Sequence, residues 1–215
     1  DGRRLLMKKL NASGICFLAL AAVLNIVGAN IALALRLPVY LDSIGTMLGA
    51  ALLGPVYGML PGLVSALLNG FTTDPYAFYY LPVQLVTGLM TGLAFRLFRP
   101  KKIRDIWRLL PASLLISLPG TVVSSVITAL LFGGITSSGS TVLVQLLHGA
   151  GLHLTLSVCL VQGITDFLDR ILSLALTAGL AAALPSALRA KIQNLRAGSP
   201  AGKGPDQGTR YPNYK

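Results

Sequence analysis

The feature that most constrains this chain is an uncharged stretch, residues 43–71, which directly follows Asp42 and contains five glycines four or five residues apart. Small residues at this spacing let helix backbones approach closely, which matters in a bilayer because packing must hold the helices together there. Pro55 and Pro61 lack a backbone N–H and disfavour one continuous helix. The stretch therefore predicts two short, tightly packed helices with a break near residues 54–57. The glycines are Gly45, Gly49, Gly54, Gly58 and Gly62.

The composition places the chain in a lipid bilayer. Hydrophobic residues make up 53% of the sequence and charged residues 12%, against about 25% charged in a typical soluble domain. The net charge of +11 could suggest nucleic acid, but the basic residues cluster at the ends of apolar segments, so we expect no nucleic-acid partner. Cys16 and Cys159 both lie in apolar runs and are interpreted as small hydrophobic residues.

The distribution of basic residues predicts the topology. Sixteen of the eighteen Lys and Arg residues lie in the N-terminal segment, in residues 96–108 or from residue 189 onward. Positively charged segments stay in the cytoplasm, so both termini are expected there, in a multi-pass protein of the cell membrane. We predict a basic N-terminus over residues 1–11, a membrane-embedded domain over 12–192 and a flexible cytoplasmic tail over 193–215.

The fold class predicted is an all-α bundle of six transmembrane helices, the second and third of which are the short broken pair. The first apolar run, residues 15–35, is longer than the core of a signal peptide, so we expect it to be retained. The apolar segment 141–161 is then external, as a lid, a re-entrant helix or an extension of the last helix. The alternative is seven spans, with this segment crossing on its own.

Polar residues without an evident structural role gather in the outer half of this topology, where a small-molecule site is expected. Asp166 and Asp169 are costly in hydrocarbon unless paired or hydrated. Arg170 can pair with Asp166 four residues back, which leaves one carboxylate for a ligand, unless both face water at the helix end. The candidate substrate-binding residues are Tyr40, Asp42, Asn69, Tyr76, Tyr79, Gln84, Thr121, Ser125, His148, Asp166 and Asp169.

Catalysis finds little support in the sequence. It contains no Glu and none of the usual metalloprotease, nucleophile-elbow or phosphate-loop motifs, so we predict no enzyme, no cofactor and no metal site. Ser138 with His148 could suggest a serine hydrolase, and His148 with His153 a haem or metal site. Flexible Gly-Ser loops are common and histidines also occur as ordinary polar lid residues, so these simpler interpretations are preferred.

Two stretches, residues 37–70 and 165–188, resemble the substrate-binding (S) component of energy-coupling factor (ECF) vitamin transporters, nearest to the riboflavin-type group. The resemblance implies a subunit that captures a vitamin or cofactor precursor, such as a flavin, from outside for ATP-driven uptake. It also implies two kinds of partner, a transmembrane coupling subunit and two ATPase subunits. The resemblance also implies that the first helix contacts the coupling subunit, through a face where family members often carry two alanines four apart. The corresponding register here is Ala21, Asn25 and Ala29, which departs from that pattern by placing Asn in the middle. The alternatives are a membrane sensor or scaffold on the same helices, or a stand-alone carrier.

Overall fold

The computed structural model describes residues 12–98, 106–185 and 192. The predicted basic N-terminus and most of the predicted tail lie outside the described residues. Within these ranges the chain forms seven α-helices and one short 3-10 helix, with no strand. The helices are α1 (Ala12–Ala34), α2 (Ile44–Leu53), α3 (Pro55–Thr72), the 3-10 helix (Pro75–Phe78), α4 (Leu81–Phe98), α5 (Ile106–Phe132), α6 (Ser140–Gly149) and α7 (Leu154–Ala183).

The break in the glycine-rich stretch falls at Gly54, as predicted. This residue has a φ of 100°, a left-handed backbone conformation that glycine adopts readily. Pro55 then begins α3 at a position where the missing N–H costs nothing. With 10 residues and a rise of 1.5 Å per residue, α2 is about 15 Å long, so the pair is short and broken.

Close backbone contact explains why glycines occupy this part of the chain. A methyl group on Gly45 would collide with the carbonyl of Ala21 in α1, and one on Gly58 would collide with Ala50 in α2. The same packing extends to α4, where a methyl on Gly92 would overlap Pro55. Helices α1 to α4 are therefore held together by direct approach of their backbones, as expected for helices in lipid.

Asn25 is the polar centre of this packing. Its side chain is fully buried, and its Oδ1 atom accepts hydrogen bonds from the backbone N–H groups of Gly45 at 2.7 Å and Thr46 at 3.3 Å. Its Nδ2 atom donates to Thr46 Oγ1 at 2.8 Å. These bonds satisfy the first turn of α2, whose N–H groups have no partner within the helix, and they fix α1 against α2.

Three helical segments are long and apolar enough to cross a membrane: α1, α4 and residues 110–132 of α5. Helix α7 has 30 residues, or about 45 Å, but carries Asp166, Asp169 and Arg170. Large apolar side chains such as Leu20, Val126 and Leu160 point outward, which suits a lipid environment. The structure therefore supports a helical membrane bundle, and the count of six spans stays a prediction.

The apolar segment 141–161 does not form one helix, contrary to the seven-span alternative in which it crosses alone. It is divided between α6 and the first two turns of α7, with Gly151 at a φ of 99° between them. The ten residues of α6 span only about 15 Å, half the thickness of the hydrocarbon core. This short helix packs on α7 through Val144, Val158 and Val161.

Candidate functional site

Three connecting segments meet at one end of the bundle: residues 35–43, 73–80 and 133–139. The backbone N–H of Gly139 donates to the carbonyl of Leu37 at 3.3 Å, and Ser137 Oγ donates to Asp74 Oδ2 at 2.6 Å. These bonds join the last segment to each of the other two. Each segment connects two helices of the bundle. The three segments and the helix ends that they join enclose a common space.

This space consists of two adjoining cavities of about 70 Å³ each. The first reaches toward α1 and α3, and the second toward α5 and α7. Six residues line both: Tyr40, Asp42, Asp74, Tyr80, Gln84 and Ser137. Asn69, Ser65, Ala66 and Ser138 are among those that line only the first, and Tyr76, Ser124, Asp166 and Arg170 are among those that line only the second.

Helix α7 holds the 35–43 segment in place through Asp169. This side chain is fully buried, and its Oδ1 atom accepts hydrogen bonds from the backbone N–H groups of Tyr40 at 3.0 Å and Leu41 at 2.8 Å. Its Oδ2 atom lies 3.3 Å from Nη1 of Arg170, which also donates to the hydroxyl of Ser43. Asp169 is thus a structural anchor behind the cavity wall, and Arg170 pairs with it. The expected pairing of Arg170 with Asp166 is not formed.

Asp42 is the carboxylate shared by the two cavities. Gln84 Nε2 donates to its Oδ2 atom at 2.5 Å, whereas its Oδ1 atom is buried and accepts no hydrogen bond from any described residue. Burial raises the pKa of this carboxyl to about 6, and the guanidinium of Arg170 opposes the shift. Gly62 leaves space for Gln84, since a methyl group there would lie 3.0 Å from its Oε1 atom.

Asp166 lies on the opposite wall and is only 4% exposed. Its Oδ2 atom accepts hydrogen bonds from the hydroxyls of Thr121 at 2.9 Å and Ser124 at 3.0 Å, both on α5. One turn further along, Gln162 Nε2 donates to Thr128 Oγ1 at 2.7 Å. The hydroxyl side chains of α5 therefore bond to Asp166 and Gln162 on α7. These bonds explain how polar side chains on the two helices are tolerated inside the bundle.

Aromatic side chains close the outer side of the site around Phe132 at the end of α5. The rings of Tyr76 and Tyr79 meet Phe132 edge to face, with centroids 4.8 and 5.1 Å away, and Tyr80 stacks on it at 6.2 Å. The hydroxyl of Tyr80 lies 2.5 Å from Thr128 Oγ1, and burial raises the pKa of this phenol to about 12. Tyr80 is thus a neutral hydrogen-bonding wall of both cavities.

The structure brings six of the eleven candidate residues to the cavities and places the others elsewhere. Those at the cavities are Tyr40, Asp42, Asn69, Tyr76, Gln84 and Asp166. Asp169 lies behind the wall, Tyr79 is 52% exposed, and Thr121 and Ser125 line a separate apolar groove between α5 and α7. His148 is exposed, and its Nδ1 atom lies 2.9 Å from the carbonyl oxygen of Leu152.

The residues implied for the coupling surface do not form one exposed face. Ala21 and Asn25 are buried against α2, because Gly45 packs directly on the backbone of Ala21 and the amide of Asn25 bonds to Gly45 and Thr46. Ala29 lines the first cavity. Neither Ala21 nor Asn25 is therefore available to a partner in this structure.

Sequence reasoning missed several residues that line the cavities. Asp74 caps the 3-10 helix by accepting from the Tyr76 N–H at 3.1 Å, and the Asp-Pro pair was a sign of this turn. Ser137 lies in a Gly-Ser segment interpreted only as flexible. Arg170 was assigned only to pairing with Asp166, yet Arg170 and Ser124 both line the second cavity.

The fold and site together define an α-helical membrane protein with a polar cavity at one end, closed by three connecting segments and lined by carboxylates and tyrosines. The family model for the substrate-specific component of ECF transporters matches residues 8–181, and the chain belongs to that family. Proteins of this family are substrate-binding subunits of transporters and not enzymes. Neither the curated proteins nor the solved structures gave a match to this chain.

Proposed function

We propose that this chain captures a vitamin or cofactor precursor at the outer face of the cell membrane and delivers it for ATP-driven uptake. The observation that supports this most directly is the pair of cavities between residues 35–43, 73–80 and 133–139. They combine buried polar groups with aromatic walls, which is the usual make-up of a small-molecule site. A flavin is the ligand suggested by the resemblance to the riboflavin-type group.

The proposed orientation follows from the charges. Basic residues cluster before α1, between α4 and α5, and after α7, which puts these regions in the cytoplasm by the positive-inside rule. The cavities lie at the start of α4 and the end of α5, which is the opposite end of these helices. The site then opens outward, with both termini inside.

The proposed partners are a transmembrane coupling subunit and two ATPases. Nothing in the chain resembles a nucleotide-binding loop, so the energy for uptake comes from another subunit. The outward side of α1 carries Leu20, Val23, Val27 and Ile31 and offers an apolar surface for the coupling subunit, next to Ala29 at its outer end.

Co-purification and uptake test this function. The tagged full chain is expressed in a bacterium that encodes ECF ATPases, extracted in mild detergent and analysed for associated proteins, and the complex is then reconstituted in liposomes. We expect a coupling subunit with two ATPases, and uptake that needs ATP. A sensor, scaffold or stand-alone carrier would be recovered without ATPases, and that result would overturn the proposal.

A further inference from the structure

The charged groups of the cavities do not balance. Among the described residues that line them, three are carboxylates, Asp42, Asp74 and Asp166, and one is a cation, Arg170. The positive charge of Arg170 is already matched by Asp169 at 3.3 Å. Arg36, on the connection between α1 and α2, is exposed and lines neither cavity. Three carboxylates therefore share the site without a protein cation of their own.

Neutral donors hold each of these carboxylates without neutralising it. Asp42 accepts from the amide of Gln84, Asp74 from the hydroxyl of Ser137 and a backbone N–H, and Asp166 from two α5 hydroxyls. These bonds fix the orientation of the carboxylates. The negative charge stays at the cavities, and at Asp166 and at the buried Oδ1 atom of Asp42 the low dielectric makes an uncompensated charge expensive.

One buried carboxylate oxygen of the cavities also has no hydrogen-bond partner among the described residues. This oxygen is Oδ1 of Asp42. Both α5 hydroxyls bond the same oxygen of Asp166, Oδ2. Asp166 is more than nine-tenths buried and lines the second cavity. A buried acceptor such as Oδ1 of Asp42 usually has a donor, which the ligand can supply.

The aromatic walls favour the same kind of ligand. Tyr40 and Tyr80 line both cavities, and Tyr76 lines the second. The face of an aromatic ring attracts a cation. An inorganic ion fits less well, because the described part of the chain has no cluster of three His, Cys, Asp or Glu residues that could coordinate a metal.

We infer that the ligand of this site is an organic cation whose positively charged nitrogen lies between Asp42 and Asp166 and against the tyrosine rings. This inference rests on the proposed function and replaces the flavin suggested by the resemblance, since a neutral flavin would leave the excess negative charge uncompensated. The carboxylates would select against anionic precursors by the same charge.

The test uses probes sorted by charge, so it does not require the ligand to be known. The full chain in lipid nanodiscs is mixed with three fractions of deproteinised yeast extract: retained by a cation exchanger, retained by an anion exchanger, and retained by neither. Riboflavin serves as a defined neutral probe, and an ashed sample of the first fraction supplies its inorganic ions alone. The readout is the midpoint of thermal unfolding, which a ligand of the folded state raises.

We expect the cation-exchanger fraction to raise the midpoint and its ashed sample to leave it unchanged. Asp166→Asn and Asp42→Asn should each increase the amount required by at least about tenfold, the cost of losing a charged hydrogen-bond partner. Asn keeps an oxygen that accepts from the same neutral donors, so both variants should fold, which their own unfolding transitions check. Asp105→Asn, in the sequence between α4 and α5, makes the same change of net charge and should behave like the parent.

The other outcomes separate the two proposals. Stabilisation by riboflavin, by the neutral or anionic fraction, or equally by the ashed sample overturns the inference of an organic cation and leaves the substrate-binding function standing. A response to the cationic fraction that persists in both Asp variants overturns it as well. If no fraction and no defined probe stabilises the chain, both the inference and the proposed function fail.

Discussion

Replacing Gly58 by alanine tests whether backbone contact between α2 and α3 holds the bundle together. The added methyl group would overlap Ala50 and would lie only 2.7 Å from its backbone nitrogen. Backbone atoms cannot rotate away, so the two short helices must separate. Overpacking of this kind costs about 3 kcal/mol at the upper end of its usual range, and the gain in helix propensity returns only about 1 kcal/mol.

Gly49 supplies a matched control on the facing helix. A methyl group there would meet Pro61, Gly58 and Leu18 at 3.4 to 3.5 Å, which is ordinary van der Waals contact. Gly49→Ala keeps the same gain in propensity without the overlap, so the two variants should differ by about 3 kcal/mol, or roughly 6–12 °C in the midpoint of unfolding. Thermal unfolding in nanodiscs measures this difference. A difference below about 2 °C would refute the argument that these backbones are packed in contact.

Three further predictions follow from the site and the topology. Because folding raises the pKa of Asp42 to about 6, the folded chain keeps a proton that the unfolded chain loses near pH 4, and this stabilisation disappears as the pH rises through 6. The unfolding midpoint should therefore fall between about pH 4 and 6 in the parent but less in Asp42→Asn, and equal profiles would contradict the shift. Asp169→Ala should destabilise the chain by about 3–5 kcal/mol, because it leaves Arg170 buried without its counter-ion; normal stability in denaturation would show that the pair is dispensable. In a cysteine-free background, an impermeant thiol reagent should label His148→Cys but not Ala197→Cys in intact cells, and equal labelling would contradict the topology.

Local patterns in the sequence were enough to predict the break at Gly54 and the close packing of the glycines around it. These features depend on residues near each other in the chain, namely a glycine before a proline and small residues at helical spacing. Six of the candidate residues also line the cavities, because an Asp, Asn or Gln in an apolar run needs a partner or a cavity. The topology then assigned them to one end of the bundle.

The partners of these residues could not be predicted, because they come from distant parts of the chain. Arg170 was assigned to Asp166 from their helical spacing, yet Asp169 accepts from the loop at Tyr40 and holds the guanidinium instead. Asn25 was expected on a coupling surface, but its amide completes the first turn of α2. In the connecting segment 73–80, two neighbouring tyrosines have different environments: Tyr80 lines the cavities and Tyr79 is largely exposed. These hydrogen-bond partners and exposures depend on the folded backbone, which brings distant residues together.

Filling the first cavity tests whether a small molecule binds between the three connecting segments. Ala66 is buried in its wall, and Ala66→Leu adds three carbon atoms there, whereas Ala175→Leu makes the same change on an exposed part of α7. Mass spectrometry of small molecules released from each purified protein measures the amount bound per chain. We expect one compound in the parent and in Ala175→Leu that is lost from Ala66→Leu. Full retention by Ala66→Leu, or no bound compound in any of the three proteins, would contradict this expectation.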